Sequence, residues 1–478
     1  MAELEPVIGL EIHVQLKTRT KMFCGCELSF GDQPNVHTCP ICLGHPGTLP
    51  VANGEAIRFA LQIAAALECE VAPRSIFHRK NYFYPDLAKG YQISQYDIPL
   101  AREGRLGEVR IHRVHLEEDA AKLIHVGVSG RIHGSGFSLV DFNRGGTPLV
   151  EIVTEPDLRS ASEARAWAQL LRTTVRQLGV SDVNMEEGSL RCDANVSLRP
   201  AGSEELGTKT ELKNMNSFRF LERGIEAELT RQRELLDGGD AVVQETLHFD
   251  PVSGELTPLR SKEEAHDYRY FPEPDLVPLA PSEEMIREAR DSLPELPGAR
   301  AGRYEVMGLA AEMATRLAGD PETADYFERT LEAADGVEPR VIANWVTGEL
   351  TALLREDGGE AGPADSKVEP GALAKLAGLV QAREISHGAG KQVLATLVGA
   401  GGDPAEIVER EGLGQISGTG ELEQVVERAI EAEPEAAEEV RSGNQKAIGR
   451  IVGAVMRETK GRADGGAVQE LIRDKLGA

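Results

Sequence analysis

The stretch that most limits what this chain can fold into is Val7-Ile-Gly-Leu-Glu-Ile-His-Val-Gln-Leu16, in which Leu10, Ile12, Val14 and Leu16 alternate with Glu11, His13 and Gln15. Successive side chains in a strand point to opposite faces, so the pattern predicts a half-buried strand with an apolar underside and a polar outer face. Glu11 and His13 fall two residues apart on that outer face. The spacing suits a pair of metal ligands and equally an ordinary solvated strand surface.

Three later segments repeat the theme. Residues 112–119 end in Glu117, Glu118 and Asp119. Residues 189–199 alternate Leu190, Cys192, Ala194, Val196 and Leu198 with Arg191, Asp193, Asn195, Ser197 and Arg199. Residues 208–214 place Lys209, Glu211 and Lys213 on one face. Each taken alone is compatible with a wet face. Together, carboxylates beside cations on several strands supply what a divalent metal and a phosphate group require.

Helical periodicity interrupts these strands. Residues 56–69 carry Ile57, Leu61 and Ala64 on one side. Ser160 and Glu163 form a capping-box signature ahead of Trp167, Leu170, Leu171 and Val175, and the pattern stops near Gly179. A further helix is expected over 218–236, with Leu221, Ile225 and Leu229 on one stripe and Gly238-Gly239 beyond it. The latter two are expected to pack against the sheet. Residues 79–97, dense in Tyr, Lys, Gln and Gly without a sustained period, read as a loop, either binding or pinned by its tyrosines. Residues 269–278 read as a proline-studded exit from the domain. Helical patterning then takes over, with a start at Asp320-Pro-Glu-Thr. The chain is thus expected to be α+β, with domains at 1–292, 293–405 and 406–478.

Four of the six cysteines are clustered as Cys24-x-Cys26 and Cys39-x-x-Cys42. Two close pairs of soft ligands suit a tetrahedral, structural zinc site, the alternative being free thiols. Cys69 and Cys192 have apolar neighbours and are expected in the core. The formal net charge of −26 argues against broad nonspecific binding to nucleic acid. The ends of the chain differ, however: residues 401–440 hold 12 acidic and 2 basic residues, whereas residues 441–478 hold 8 basic and 4 acidic. No apolar run approaches the roughly 18 residues of a membrane helix, and the N-terminal residues do not read as a signal peptide, so a cytoplasmic protein is expected. Gly388-Ala-Gly-Lys391 is a decoy for a phosphate loop: Ile385 occupies the first glycine position and Gln392 replaces the Ser or Thr.

At this point the chain resembles, over its whole length, the B subunit of the tRNA-dependent glutamyl/aspartyl-tRNA amidotransferases (GatB). The likeness rests on residues 7–16 together with Cys39-Pro-Ile-Cys-Leu-Gly-His-Pro-Gly, Lys80-Asn-Tyr-Phe-Tyr-Pro-Asp, Tyr91-Gln-Ile-Ser-Gln-Tyr-Asp and His115-Leu-Glu-Glu-Asp. Gly188-Ser-Leu-Arg-Cys-Asp-Ala-Asn-Val-Ser, Glu211-Leu-Lys-Asn-Met-Asn-Ser and Tyr268-Arg-Tyr-Phe-Pro-Glu-Pro-Asp extend it. Ala88, Ala121 and Gly465-Gly466 stand where the family usually has proline, glycine and Asn-Pro.

The resemblance implies an N-terminal cradle domain built on an antiparallel sheet related to glutamine synthetase and guanido kinases, then a helical domain and a small tail of the YqeY type. It implies ATP-dependent phosphorylation of the side-chain carboxylate of Glu-tRNA(Gln) or Asp-tRNA(Asn), followed by amidation. Glu11, His13 and Glu118 would hold Mg²⁺, with Asp193 and Glu211 lining the same site. Lys80, Tyr82, Asp86 and Lys213 would bind ATP or the aminoacyl end. Lys446, Arg450, Arg457, Lys460 and Arg462 would contact the tRNA body. Ammonia would come from an amidase-fold A subunit, with a C subunit stapling the heterotrimer. The competing readings are the archaeal relative GatE, a non-enzymatic zinc-containing RNA-binding protein, and a stand-alone ligase using free ammonia.

Overall fold

In a computed structural model the opening alternation becomes β1 (Leu4–Gln15), at the heart of a nine-stranded sheet. The structure describes residues 3–126, 135–213, 215–261, 268–356, 362–414, 419–442, 444–459, 462–463 and 465–477. Two compact units divide the chain, Met1–Leu296 and Pro297–Ala478. The first is rich in sheet and the second is helical, a mixed α+β chain.

The strands of the first unit are β1, β2 (Glu70–Val71), β3 (His78–Asn81), β4 (Tyr91–Ser94), β5 (Ala101–Leu106), β6 (Val109–Glu118), β7 (Lys122–Val126) and β8 (Phe137–Asp141), then β9 (Pro148–Thr154), β10 (Leu190–Pro200), β11 (Thr210–Lys213), β12 (Glu245–Phe249), β13 (Leu256–Ser261) and β14 (Phe271–Pro272). The large sheet runs β13-β12-β11-β10-β1-β9-β6-β5-β2 and is antiparallel except between β11 and β12. A second sheet, β14-β3-β4, and the β7-β8 hairpin complete the set.

One face of the large sheet is covered. Leu10, Ile12 and Val14 of β1 are buried in one core with Ala60 and Ile63 of α1 (Gly54–Ala66), Trp167 and Leu171 of α2 (Ala161–Leu178), and Leu221 and Ile225 of α3 (Phe218–Gly238). Each fully buried Leu, Ile or Val side chain contributes about 1.5–3 kcal/mol. That burial fixes the register of β1, because a slip of one residue would carry the apolar set to the other face. Asn53 caps α1, and Ser160 and Ser217 cap α2 and α3. Gly179 and Gly239, both at positive φ, end the latter two helices. At α2 only half of a capping box forms, since the Glu163 carboxylate accepts from the backbone N–H of Arg159 rather than of Ser160. A fourth helix, α4 (Glu283–Asp291), packs on α1 and belongs to this unit.

The loop expected over 79–97 is corrected, and the expected exit segment proves to carry a short strand. The 79–97 segment contains β3 and β4, paired antiparallel, and the 269–278 segment supplies β14, which pairs with His78 and Arg79. Strands this short carry too few alternations for a periodicity to be read. A buried Glu273 receiving two hydrogen bonds from Arg79, at 2.7 and 2.8 Å, ties the segments together.

The second unit holds two apolar clusters. One gathers residues such as Tyr304, Phe327, Trp345 and Leu394, and the other gathers Val426, Ile451, Val468 and Ile472. Asp320 precedes the helix Pro321–Glu332, as its sequence predicts. Among the described residues no helix is long and apolar enough to cross a membrane.

Candidate active site on the polar face of the sheet

The face of β1 opposite its core side carries Glu11, His13 and Gln15. Backbone pairing sets their neighbours: His13 stands between Arg191 of β10 and Glu151 of β9, and Glu151 in turn faces His115 of β6. The next rung pairs Glu11 with Asp193. Directly opposite residues share a face, so Arg191, His13, Glu151 and His115 form one row across four strands, and Asp193 and Glu11 form a short acidic row beside it.

His13 is the pivot. Its Nε2 lies 3.4 Å from Glu151, 3.7 Å from Glu117 and 3.8 Å from Glu11. Burial opposes the imidazolium, but Glu151, Glu117 and Glu11 outweigh it and raise the His13 pKa to about 9. His115, almost wholly buried, sits 3.6 Å from Glu151 and 3.7 Å from Glu117. Repulsion from Glu151, followed by burial, raises the Glu11 carboxyl above the usual carboxylate range. This excess of clustered negative charge fits a divalent cation. Ligand atoms of Glu11, His13 and Asp193, and separately of His13, Glu117 and Glu151, lie within 4.8 Å of one another.

Cations border the acids. The Lys213 ammonium lies 3.1 Å from Asp193 and 3.5 Å from Glu211, whose other oxygen accepts from Thr246 at 2.8 Å. Lys80 rests 4.8 Å from the centre of the Tyr268 ring, and Tyr82 meets the same ring edge-on at 6.0 Å. Desolvation works against the Lys80 ammonium, yet Tyr270, Glu117 and Glu151 raise it above the ordinary lysine range.

Glu118, expected among the metal ligands, is not brought into either group. Alternation along β6 turns it away from His115 and Glu117, and its carboxylate binds Lys89 and the backbone N–H of Ile93, the latter at 3.0 Å. It lines a cavity of about 190 Å³ with Lys21, Lys89, Cys24 and Cys42 instead. Asp86 lies apart as well: burial raises its carboxyl, Arg144 and Asp119 being the charges near it. Sequence reasoning missed Glu117 as the member facing His13, and missed Glu151 altogether. A single acid inside the apolar run Pro148-Leu-Val-Glu-Ile-Val153 was the signal that could have found Glu151.

The four sulphurs of Cys24, Cys26, Cys39 and Cys42 also lie within 4.8 Å of one another, a donor set that can bind a metal. The backbone N–H of Cys39 and the ammonium of Lys21 approach Cys42 Sγ at 3.2 and 3.8 Å. Cys69 and Cys192 are buried core residues, as expected.

In the tail, Arg450 pairs with Glu439, Arg457 lies 3.9 Å from Glu433, and Arg462 donates to the carbonyl of Thr459 at 3.1 Å. Lys446 is exposed, and Lys460 lies outside the described residues.

Residues 6–287 match the GatB/GatE catalytic domain and residues 325–476 match the GatB domain. The chain is 49% identical to the B subunit of the aspartyl/glutamyl-tRNA(Asn/Gln) amidotransferase of Carboxydothermus hydrogenoformans, over 100% of this chain and 99% of the relative. It is 50% identical to the B subunits of the same amidotransferase from Geobacter sulfurreducens, over 99% of both chains, and Moorella thermoacetica, over 99% of this chain and 100% of the relative. The chain belongs to the GatB family. Every residue of the two rows lies inside the part matched to the GatB/GatE catalytic domain. The GatE alternative is not favoured, because the second domain and these full-length relatives are those of GatB.

Proposed function

We propose that this chain is the B subunit of a glutamine-dependent heterotrimer that converts Glu-tRNA(Gln), Asp-tRNA(Asn) or both to the amide. The observation that carries the reading is the pair of acid–base rows around His13, in a chain half identical to amidotransferase B subunits. The first unit would be a cradle of the glutamine synthetase and guanido kinase type. Residues 406–478 would be a YqeY-like tail that meets tRNA phosphates through Lys446, Arg450, Arg457, Lys460 and Arg462. The complex would work in the cytoplasm.

A carboxylate resists attack by ammonia because resonance and charge both oppose it. Its oxygen therefore first attacks the γ-phosphorus of ATP, the bond to the β,γ-bridging oxygen breaks, and ADP leaves with that electron pair. Ammonia then attacks the acyl carbon, the C–O bond to phosphate breaks, and the departing phosphate takes a proton from nitrogen. Phosphoryl transfer depends mostly on positioning and charge neutralisation. Lys80 and Lys213 would meet phosphate oxygens, and the ring of Tyr82 would help seat the nucleotide or aminoacyl end. Mg²⁺, held by Glu11, His13 and Asp193 or by His13, Glu117 and Glu151, would supply further neutralisation. Asp86 and Glu118 then act from the periphery. The four cysteines would hold a structural Zn²⁺, which leaves no position for substrate.

Ammonia requires a partner. An amidase-type A subunit would release it from glutamine, and a C subunit would hold the pair together. The non-enzymatic RNA-binding alternative accounts for the cysteines and the tail but not for acids converging from four strands. The test is the complex co-purified with its A and C subunits, given ATP, glutamine and each misacylated tRNA. Amide formation on at least one is expected. An active glutaminase with neither tRNA converted would overturn the reading.

A further inference from the structure

Four of the cations on the polar face, Lys213, Lys80, Arg113 and Arg191, are held in different ways. Lys213 is paired with Asp193 and lies near Glu211. Lys80 is set against the Tyr268 ring. Arg113 donates from Nη2 to Glu151 at 3.1 Å, so its anchor is itself one of the metal-capable acids. Arg191 is held differently. It stands directly across β1 and β10 from His13, where opposed Cβ atoms are about 4.5–5.5 Å apart. Its Nη2 donates to Asp119 Oδ1 at 2.9 Å, and its buried Nε–H has no partner, while 40% of the side chain stays exposed.

Asp119 makes a firm anchor because it belongs to neither metal-capable group. Gln15 Nε2 donates to its second oxygen at 2.6 Å, Arg144 lies 3.7 Å from that oxygen, and the backbone N–H of Ala120 donates to Oδ1 at 2.9 Å. One edge of the Arg191 guanidinium is thus fixed by a hydrogen bond to an acid outside both metal-capable groups, and other donors remain. A planar fork with spare donors matches the geometry of phosphate oxygens.

We propose that Arg191 is a catalytic residue: anchored by Asp119, its guanidinium binds the γ-phosphoryl oxygens of ATP while that group passes to the side-chain carboxylate. The proposal rests on the kinase reading above. Negative charge spreads over three phosphoryl oxygens during transfer, and a donor already aimed at them needs no reorganisation. Arg191 neither gives nor takes a proton.

The experiment measures ADP release dependent on misacylated tRNA by the assembled heterotrimer, for the wild type, R191A and R191K, with melting temperatures in parallel. R191A is expected to lose about 100-fold or more in kcat, the scale for one positioned transition-state donor. R191K should recover part of this through charge without the fork. Guanidinium ion at non-denaturing concentration should restore R191A and leave the wild type unchanged, a response that a purely structural arginine would not give. R191A within about threefold of wild type overturns the assignment, as does a loss that guanidinium does not relieve. A wild-type complex that releases no ADP on either misacylated tRNA defeats the kinase reading itself, a distinct result.

Discussion

Two clusters in the first unit can take a metal, and they are assembled in opposite ways. The four cysteines come from one short stretch, residues 24–42, and converge through local turns. The acid–base rows draw His13, Glu117, Glu151 and Asp193 from four strands, with more than half of the unit lying between the first and the last. A local cluster announces itself by spacing. A cluster assembled from distant strands exists only as a consequence of register, and register is set by the apolar face beneath it.

That difference can be broken or sharpened by substitution. E117Q is expected to lower tRNA-dependent ADP release by about 100- to 1,000-fold while leaving the metal content of the cysteine cluster unchanged. E118Q, one residue along β6 and on its other face, should retain at least about tenfold more ADP release than E117Q. Equal losses would show that alternation does not divide these neighbours by role. C39S should remove the bound metal and destabilise the first unit by about 3–5 kcal/mol, read as a lower melting temperature, while the surviving folded protein keeps its ADP-forming activity. Unchanged melting with full metal content would break the proposed zinc set.

A third cluster gives the smallest effect and a useful control. In the helical unit, Arg300, Arg303 and Tyr304 donate to Glu328 Oε1 at 2.9, 2.7 and 2.6 Å. Burial raises the Glu328 carboxyl, but these three donors outweigh it and hold the pKa at about 2, below the ordinary value of 4.5. A group depressed in the folded state adds stability that is complete above its unfolded pKa and disappears as pH falls through the folded one. E328Q should therefore lower stability at neutral pH and flatten the decline between about pH 4.5 and 2, followed by thermal melting of the whole chain. ADP release at neutral pH should be unaffected.

The same contrast explains what could be read without coordinates. The faces of β1 and β10, the helix α2 behind its Ser160 cap, and the cysteine set were all legible, because each is written in residues a few positions apart. The choice between Glu117 and Glu118 was not. In a run of three acids nothing marks which one points away from the core until β6 is paired with β9. Glu151 stayed hidden because its neighbours on β9 are apolar, and its meaning comes from His13 and His115 on either side. The tail's basic residues looked available in sequence, yet Arg450 and Arg457 are matched with Glu439 and Glu433 of the preceding acidic segment. A tRNA contact at those two positions would have to compete with internal ion pairs, which are weak at exposed sites.

The central place of β1 has a consequence for how the protein is made. This strand precedes every other strand of its sheet along the chain, yet its hydrogen-bonded neighbours are β9 and β10, which end at Thr154 and Pro200. Through most of the synthesis of the first unit, β1 therefore lacks one or both of its hydrogen-bonded neighbours. Contacts this distant along the chain close slowly. Nascent chains cut short before Pro200 should therefore depend on chaperones, and the emergence of β10 should release them.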